Sequence, residues 1–181
     1  GLNHGKSVIM IEDNNGEMQE MTFNQNYSNH EYIDVMGIPL VAGRFYDREF
    51  ASDQDNSIVV NEAVVKAMQW GDNAIGKKFK LAPNVQNITT PDAEVIGVVQ
   101  DYNYGSLHNP IEPLVLVLRE NAQFLRLLHV RVKNDQMQDA LNWIVEKREA
   151  FNPSYPIQYS YLSDELDALY EEEHVVFALV I

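Results

Sequence analysis

The chain has 181 residues and no cysteine, and its 27 acidic and 13 basic residues give a formal net charge of -14 at pH 7. A charge of this sign repels phosphate backbones and anionic lipid headgroups, so no nucleic-acid partner is expected. The absence of cysteine excludes disulfides, thiol nucleophiles and thiolate metal sites. The length suits one domain or two small lobes with a real core.

The first forty residues predict a hairpin, a short helix and an edge strand. Runs of strand-type residues at 7–11 and 18–23 flank Asn15-Gly16, and Asn-Gly between two such runs is the strongest short signal for a hairpin. Residues 29–36 predict a short helix that ends at a glycine. Pro39 has no amide hydrogen to donate, so the extended piece around it is expected at a sheet edge.

The middle of the chain predicts buried strands around a capped helix. The acidic segment 47–56 is interpreted as a surface loop. Residues 57–60 form an apolar run typical of a buried strand, and Asn61 is expected to cap a helix over 62–68. Three further strands are predicted at 78–81, 94–99 and 114–118.

The last third predicts two strands and two helices in alternation. A strand at 127–132 is followed by a helix that Asn134 caps, with apolar residues at helical spacing. A second strand is predicted at 155–161, and Ser163 is expected to cap a final helix. Helices and strands are mixed without strict alternation along the whole chain, so the predicted fold class is α+β.

The loop at 101–113 is the best candidate for contact with a partner, because loops carry function and aromatic side chains anchor interfaces. Its candidate residues are Tyr102, Tyr104 and His108. A loop that packs on its own domain remains an equal alternative. The sequence therefore indicates a surface but does not name what binds there.

No catalytic or cofactor-binding arrangement is predicted. Gly5-Lys6-Ser7 resembles the end of a phosphate-binding loop, but the residues after Ser7 are typical of a strand rather than a helix. Asp53 and Asp55 begin a calcium-loop spacing that lacks its glycine and its closing glutamate. No nucleophile, base and oxyanion hole come together. We therefore predict no catalytic residue, no metal site, no cofactor and no enzymatic activity.

The C-terminal segment allows two interpretations. Three glutamates at 171–173 precede His174, and residues 175–181 are entirely apolar. The segment either ends a buried helix or begins a membrane-spanning helix, which needs about 20 apolar residues.

Several segments together resemble the periplasmic core domain of MacB/FtsX-type ABC transporter permeases. They occur in the family's order and cover roughly residues 29–181. The segments are 32–45 with its "GIPLVAGRF" ending, "IVVNEA" at 58–63 followed by "AIGK" at 74–77, "VIGVVQD" at 95–101, "SLH" to proline at 106–113, and the ending at 151–170.

The resemblance implies a two-lobed domain, in which a porter-like lobe carries an inserted sabre-like lobe. By this resemblance the porter-like lobe comes from 1–55 and 123–173, and its N-terminal part is expected to be missing. The inserted lobe comes from 56–122. Residues 174–181 are expected to start a truncated transmembrane helix.

The resemblance also implies the extracytoplasmic domain of a permease in the bacterial inner membrane, facing the periplasm. Its expected partners are an ABC ATPase reached through the membrane part, a second permease copy, a periplasmic protein and the membrane itself through flanking helices. Leu166, Leu169 and Tyr170 of the last helix are expected to couple the domain to the membrane. The alternative is a membrane-anchored ligand-binding or sensory domain, which the flanking sequence would distinguish. The transported substrate is not predicted.

Overall fold

The computed structural model describes residues 5–81, 93–103, 110–120, 127–151 and 157–162. The chain divides into two compact units, Leu2–Leu128 and a second unit that comprises His129–Ile181 with Gly1. The elements of the first unit, here called the sheet unit, are β1 Gly5–Glu12, β2 Met18–Ser28, α1 Tyr32–Met36, β3 Leu40–Gly43, α2 Asp53–Asn56, β4 Ser57–Asn61, α3 Glu62–Ala67, β5 Lys78–Leu81, β6 Ala93–Val99 and β7 Leu114–Leu118.

The predicted N-terminal hairpin is confirmed. β1 and β2 pair antiparallel along the whole of β1, from Gly5 opposite Gln25 to Glu12 opposite Met18. At the turn, Asp13 Oδ1 accepts the backbone amides of Asn15 at 2.7 Å and Glu17 at 3.0 Å. These backbone hydrogen bonds favour the charged carboxylate and lower the pKa of Asp13.

Six of the described strands of the sheet unit close into a ring. In order they are β6, β4, β7, β2, β1 and β5, and β5 pairs with both β1 and β6, which closes the circle. β2 and β7 run parallel, as do β4 and β6, and the other pairs in the ring are antiparallel. β3 lies outside the ring and pairs with β6, so the predicted edge position near Pro39 is confirmed. Because the ring is closed, every strand in it has a hydrogen-bonding neighbour on each side.

The main core lies inside this ring, since every ring strand contributes to it. Phe23, Trp70 and Phe79 are its aromatic members, each at most 2% exposed. Trp70 also donates its indole Nε1–H to the carbonyl oxygen of Glu12 at 3.0 Å. Among the described residues it is the largest fully buried side chain.

A second cluster covers the other face of β4 and β7. Val59 and Leu116 belong to it, while Val60 and Val115 of the same strands belong to the main core. The predicted helix α1 supplies Tyr32 and Ile33 to this cluster, and it ends as predicted at a glycine, Gly37, which adopts a left-handed conformation with φ 69°. Both central strands are therefore buried on both faces, which explains their continuous apolar sequence.

The segment 47–56 is not only a surface loop, and that prediction is wrong in part. It contains the short helix α2, and the side chain of Asp53 in this helix is fully buried. Asp53 forms a bidentate pair with Arg44, with Oδ2–Nη1 and Oδ1–Nη2 distances of 2.6 and 2.7 Å. Composition indicated a solvated acidic loop, but the carboxylate of Asp53 is buried beneath a guanidinium that stays partly exposed.

The second unit contains a 3₁₀ turn at Asn134–Gln136 followed by α4 Met137–Phe151. The predicted helix is confirmed, but Asn134 does not cap it, because this residue already lies inside the first helical turn. The predicted apolar side is half-buried, and no residue of α4 is fully buried.

Two strands predicted for the last third do not form in the described residues. Residues 127–133 and 157–161 contain neither helix nor strand. Their composition is strand-like, but a strand also needs a neighbour for its backbone hydrogen bonds, and no described strand pairs with them.

The remaining expectations are not tested by these residues. The last predicted helix at 163–170 and the apolar segment 174–181 lie outside the described residues. The predicted lobe boundaries also stay a prediction. β3 and β4, which come from different predicted lobes, both pair with β6 in the sheet.

Candidate partner-contact loop and its anchor

The candidate loop connects β6 to β7, and the structure describes its two ends, 101–103 and 110–113. Tyr102 is described, whereas Tyr104 and His108 lie outside the described residues. The ends of the loop meet at the start of α3, where three polar side chains hold them in place. These side chains belong to Asn61, Glu62 and Asp101.

Asp101 and the first turn of α3 bond to each other reciprocally. Asp101 Oδ1 accepts the backbone amide of Ala63 at 2.9 Å. In return, Glu62 Oε2 accepts the backbone amide of Asp101 at 3.0 Å. This arrangement resembles a capping box, except that the two partners come from distant parts of the sequence. The beginning of the loop is thereby fixed to the helix.

Asn61 fixes the other end. Its Oδ1 accepts the backbone amide of Val64 at 3.2 Å, as the predicted helix cap, and that of Leu114 at 2.9 Å. Its Nδ2 donates to the carbonyl oxygen of Glu112 at 3.1 Å. The side chain of Asn61 is fully buried. One asparagine therefore ties together β4, α3 and the start of β7.

Burial raises the pKa of Asp101, and the nearby charge of Glu62 adds to this effect, while the amide of Ala63 opposes it. A raised pKa can mark a general acid. Here Oδ1 is already occupied by a backbone amide, which is the role of a structural acceptor. The anchor therefore positions the loop, and its geometry assembles no nucleophile and base.

Tyr102 is half-buried and packs against the outer cluster. Its hydroxyl lies 3.4 Å from the hydroxyl of Tyr32, which accepts the side-chain amide of Asn26 at 3.1 Å. The next residue, Asn103, is exposed. These contacts of Tyr102 lie within its own domain, and its contact with a partner stays a prediction.

Sequence reasoning found the cap Asn61 but missed its link to the loop. The usable signal was that Asp101 comes two positions after the end of one apolar strand and that Pro113 directly precedes another. The pairing of Asp101 with Ala63 depends on tertiary structure and leaves no local pattern.

The membrane-coupling candidates Leu166, Leu169 and Tyr170 lie outside the described residues. Among the residues that the structure covers, no helix combines the length and apolar character needed to cross a bilayer. In the same part of the chain, no three His, Asp or Glu side chains are grouped as metal ligands.

Comparison with known proteins gives one family and several similar folds. The sequence matches the model of the MacB-like periplasmic core domain over residues 6–147. No curated protein matches it. A domain of a protein assigned as a permease from Porphyromonas gingivalis is similar, with a TM-score of 0.51, 18% identity and coverage of 90% of this chain and 77% of that one.

The periplasmic region of MacB from Actinobacillus actinomycetemcomitans is also similar, with a TM-score of 0.56 and 16% identity. The alignment covers 82% of this chain and 64% of that one, so the chain spans less than two thirds of that region. At these identities the two structures support the fold, and the predicted α+β class is confirmed. Because the family match extends over most of the sequence, the protein belongs to the MacB-like periplasmic core domain family, the periplasmic domains of MacB-like ABC transporter permeases.

Proposed function

We propose that this domain is a non-catalytic relay in an ABC transporter permease. It passes movement of the membrane helices to a substrate or to a partner protein outside the bilayer. Family membership supports the transporter context. The substrate and the partner are not part of the proposal.

The observation that carries the proposal is the double anchor of the candidate loop. Asn61 and Asp101 attach both ends of the loop to α3, and α3 packs through the fully buried Val64 against the core of the closed ring. A relay has to be stiff, since a compliant element would absorb the movement. The two described ends of the loop are fixed to the closed ring and therefore move with it.

The proposed contacts follow the sequence predictions. The loop would meet a periplasmic partner through Tyr102, Tyr104 and His108, and the last helix would face the membrane segment through Leu166, Leu169 and Tyr170. The ATPase would act from the opposite side of the bacterial inner membrane, with a second permease copy as a further partner.

The proposal is tested in the intact transporter by measuring ATP hydrolysis and export together. Glu62→Ala combined with Asp101→Ala removes the reciprocal bonds at the start of the loop. We expect export to fall more than hydrolysis, because the start of the loop is then released from α3 while Asn61 still holds its other end. Asp72→Ala is the matched control, since Asp72 is an exposed carboxylate in a turn.

Both variants are first checked for membrane insertion and for cooperative unfolding of the isolated domain. An unchanged ratio of export to hydrolysis in the double variant would contradict the relay and favour a passive docking domain. An equal loss in the Asp72 control would show that the effect is not specific to the anchor.

A further inference from the structure

Three consecutive side-chain amides lie near the end of β2, and the middle one differs from its neighbours. Asn24 Nδ2 donates to the carboxylate of Glu112 at 2.7 Å, and Asn26 Nδ2 donates to the hydroxyl of Tyr32 at 3.1 Å. Gln25 is 7% exposed, and its oxygen Oε1 is buried without a hydrogen-bond partner among the described residues. Buried amide oxygens in proteins are nearly always bonded to the protein or to ordered water.

The side chain of Gln25 lies on the inner face of the ring. Side chains alternate between the two faces along a strand. Phe23 belongs to the main core inside the ring, and Tyr27 packs against that core. Gln25 lies midway between these two residues in β2 and therefore faces the same way. Its unsatisfied oxygen is directed toward the inside of the ring, where most neighbouring side chains are apolar.

The strand opposite leaves room beside Gln25. In β1, Gly5 lies directly opposite Gln25, and Ser7 lies directly opposite Phe23. Opposed residues of an antiparallel pair have their side chains on the same face, so positions 5 and 7 also face the inside of the ring. A Cβ at Gly5 would meet nothing within 4 Å, and Gly5 itself is exposed. The space next to Gln25 is thus open and can be reached from the solvent.

Ser7 supplies a second polar group at this place. It is half-buried, and it is the diagonal neighbour of Gln25 across the β1–β2 pair. Diagonal neighbours lie roughly 7–8 Å apart, within reach of long side chains. A buried water molecule needs about two to four polar partners. A serine hydroxyl and a glutamine oxygen on the same face, beside a glycine, provide two of them together with the space.

We infer that the ring binds an ordered water molecule between β1 and β2, which bridges Oε1 of Gln25 and Oγ of Ser7. The water donates one hydrogen to Gln25 Oε1 and accepts the hydroxyl hydrogen of Ser7. Because Gly5 has no side chain to close the opening, this water exchanges with the solvent. The site lies within the sheet unit alone and does not depend on the proposed relay.

The direct test is a high-resolution crystal structure of the full chain. We expect a solvent peak within hydrogen-bond distance of both Gln25 Oε1 and Ser7 Oγ. In Ser7→Ala the same peak should be weaker or absent, because the water has lost one partner. The inference is overturned if no peak is present, if Oε1 is bonded to another group of the chain, or if a larger molecule occupies the position.

A double-mutant cycle tests the same bridge in solution. Gln25→Met keeps the length of the side chain and removes its amide, and Ser7→Ala removes the hydroxyl. Either substitution alone disrupts the bridge, so the second one should have less left to remove. We expect the combined change in the unfolding equilibrium constant to fall short of the product of the single changes by roughly threefold or more. Urea titrations measure all four proteins.

Gln100→Met is the matched control, because Gln100 is an exposed glutamine that follows β6. Its effect should multiply with that of Ser7→Ala without any shortfall, since no bridge joins these two residues. If Gln25→Met and Ser7→Ala multiply as fully as the control pair does, no water couples them and the inference fails. If Gln25→Met does not fold, the crystal structures of the wild type and of Ser7→Ala decide the question.

Discussion

The described residues of the two units bury their apolar side chains to very different extents. In the sheet unit, every residue of β4 and β7 is buried. In the second unit, α4 has tryptophan, phenylalanine, isoleucine and valine but no buried residue. The apolar character of a segment therefore does not decide how deeply it is buried. Burial follows from the number of neighbours, and a strand inside a closed ring has neighbours on both edges and both faces.

The largest expected difference concerns the two tryptophans. Trp70→Ala should reduce the free energy of unfolding by about 3–5 kcal/mol, because it leaves a large cavity in the ring. Trp143 is 60% exposed, and Trp143→Ala should change the free energy by about 0.5 kcal/mol or less. Urea titrations followed by circular dichroism measure both values. Equal effects would contradict the contrast in burial between the units.

Two glycines in strands, Gly97 and Gly5, differ in how closely other atoms pack against them. A Cβ at Gly97 would lie 2.1 Å from the carbonyl oxygen of Arg44, whereas a Cβ at Gly5 would meet nothing within 4 Å. Gly97→Ala should therefore cost about 3 kcal/mol by forcing β3 away from β6. Gly5→Ala should be close to neutral. Thermal unfolding of both variants checks this, and a neutral Gly97→Ala would mean that β3 is loosely attached.

Asn61 and Asn134 both lie at the start of a helix, one in each unit, and their substitution by alanine should have different effects on stability. Asn61→Ala should cost about 2 kcal/mol, because it leaves buried backbone amides without their acceptor. Asn134→Ala should have little effect, since Asn134 is exposed and lies inside the helical turn instead of at its cap. The same titrations measure these changes. A large cost for Asn134→Ala would show that the second unit depends on a contact outside the described residues.

The smallest expected effect is the pH-dependent contribution of Asp53 to the free energy of unfolding. Burial alone would raise the pKa of Asp53, but the hydrogen bonds from Arg44, Asp47 and Ser57 outweigh it and the pKa is lowered. A lowered pKa in the folded state means that the ion pair contributes stability above the unfolded pKa, about 3.9. That contribution is lost as the pH falls through the folded pKa.

Asp53→Asn should therefore lower stability by about 1 kcal/mol at neutral pH and by less under acid conditions. Urea titrations at pH 7 and at low pH measure the difference. If the cost of Asp53→Asn is the same at both pH values, the carboxylate does not stabilise the fold through its charge.

Local pattern was enough to predict most of the sheet unit. Asn15-Gly16 predicted the hairpin, the run at 57–60 predicted β4, and Asn61 predicted the start of α3. Each of these signals acts between residues that are close in sequence. The family and the fold class were also recognisable from the order of short segments.

Ring closure could not be predicted in the same way. β5 pairs with β1 and with β6, and the alternation at 78–81 does not indicate which partners a strand will have. The ion pair between Asp53 and Arg44 could not be predicted either, because no local pattern indicates which residue a buried carboxylate will contact. The strand predicted at 127–132 is absent for a related reason. Its composition is strand-like, but composition does not show whether a neighbouring strand is present to pair with it.

β7 lies between β2 and β4 in the ring, although both of those strands precede it in the sequence. A chain that has been synthesised only as far as residue 113 therefore leaves one edge of β2 and one edge of β4 without a partner. Unpaired edges favour association between chains, and pairings between distant residues form slowly. The sheet unit thus becomes resistant to aggregation only when β7 inserts, so truncation before Leu114 should be far more harmful than truncation within the second unit.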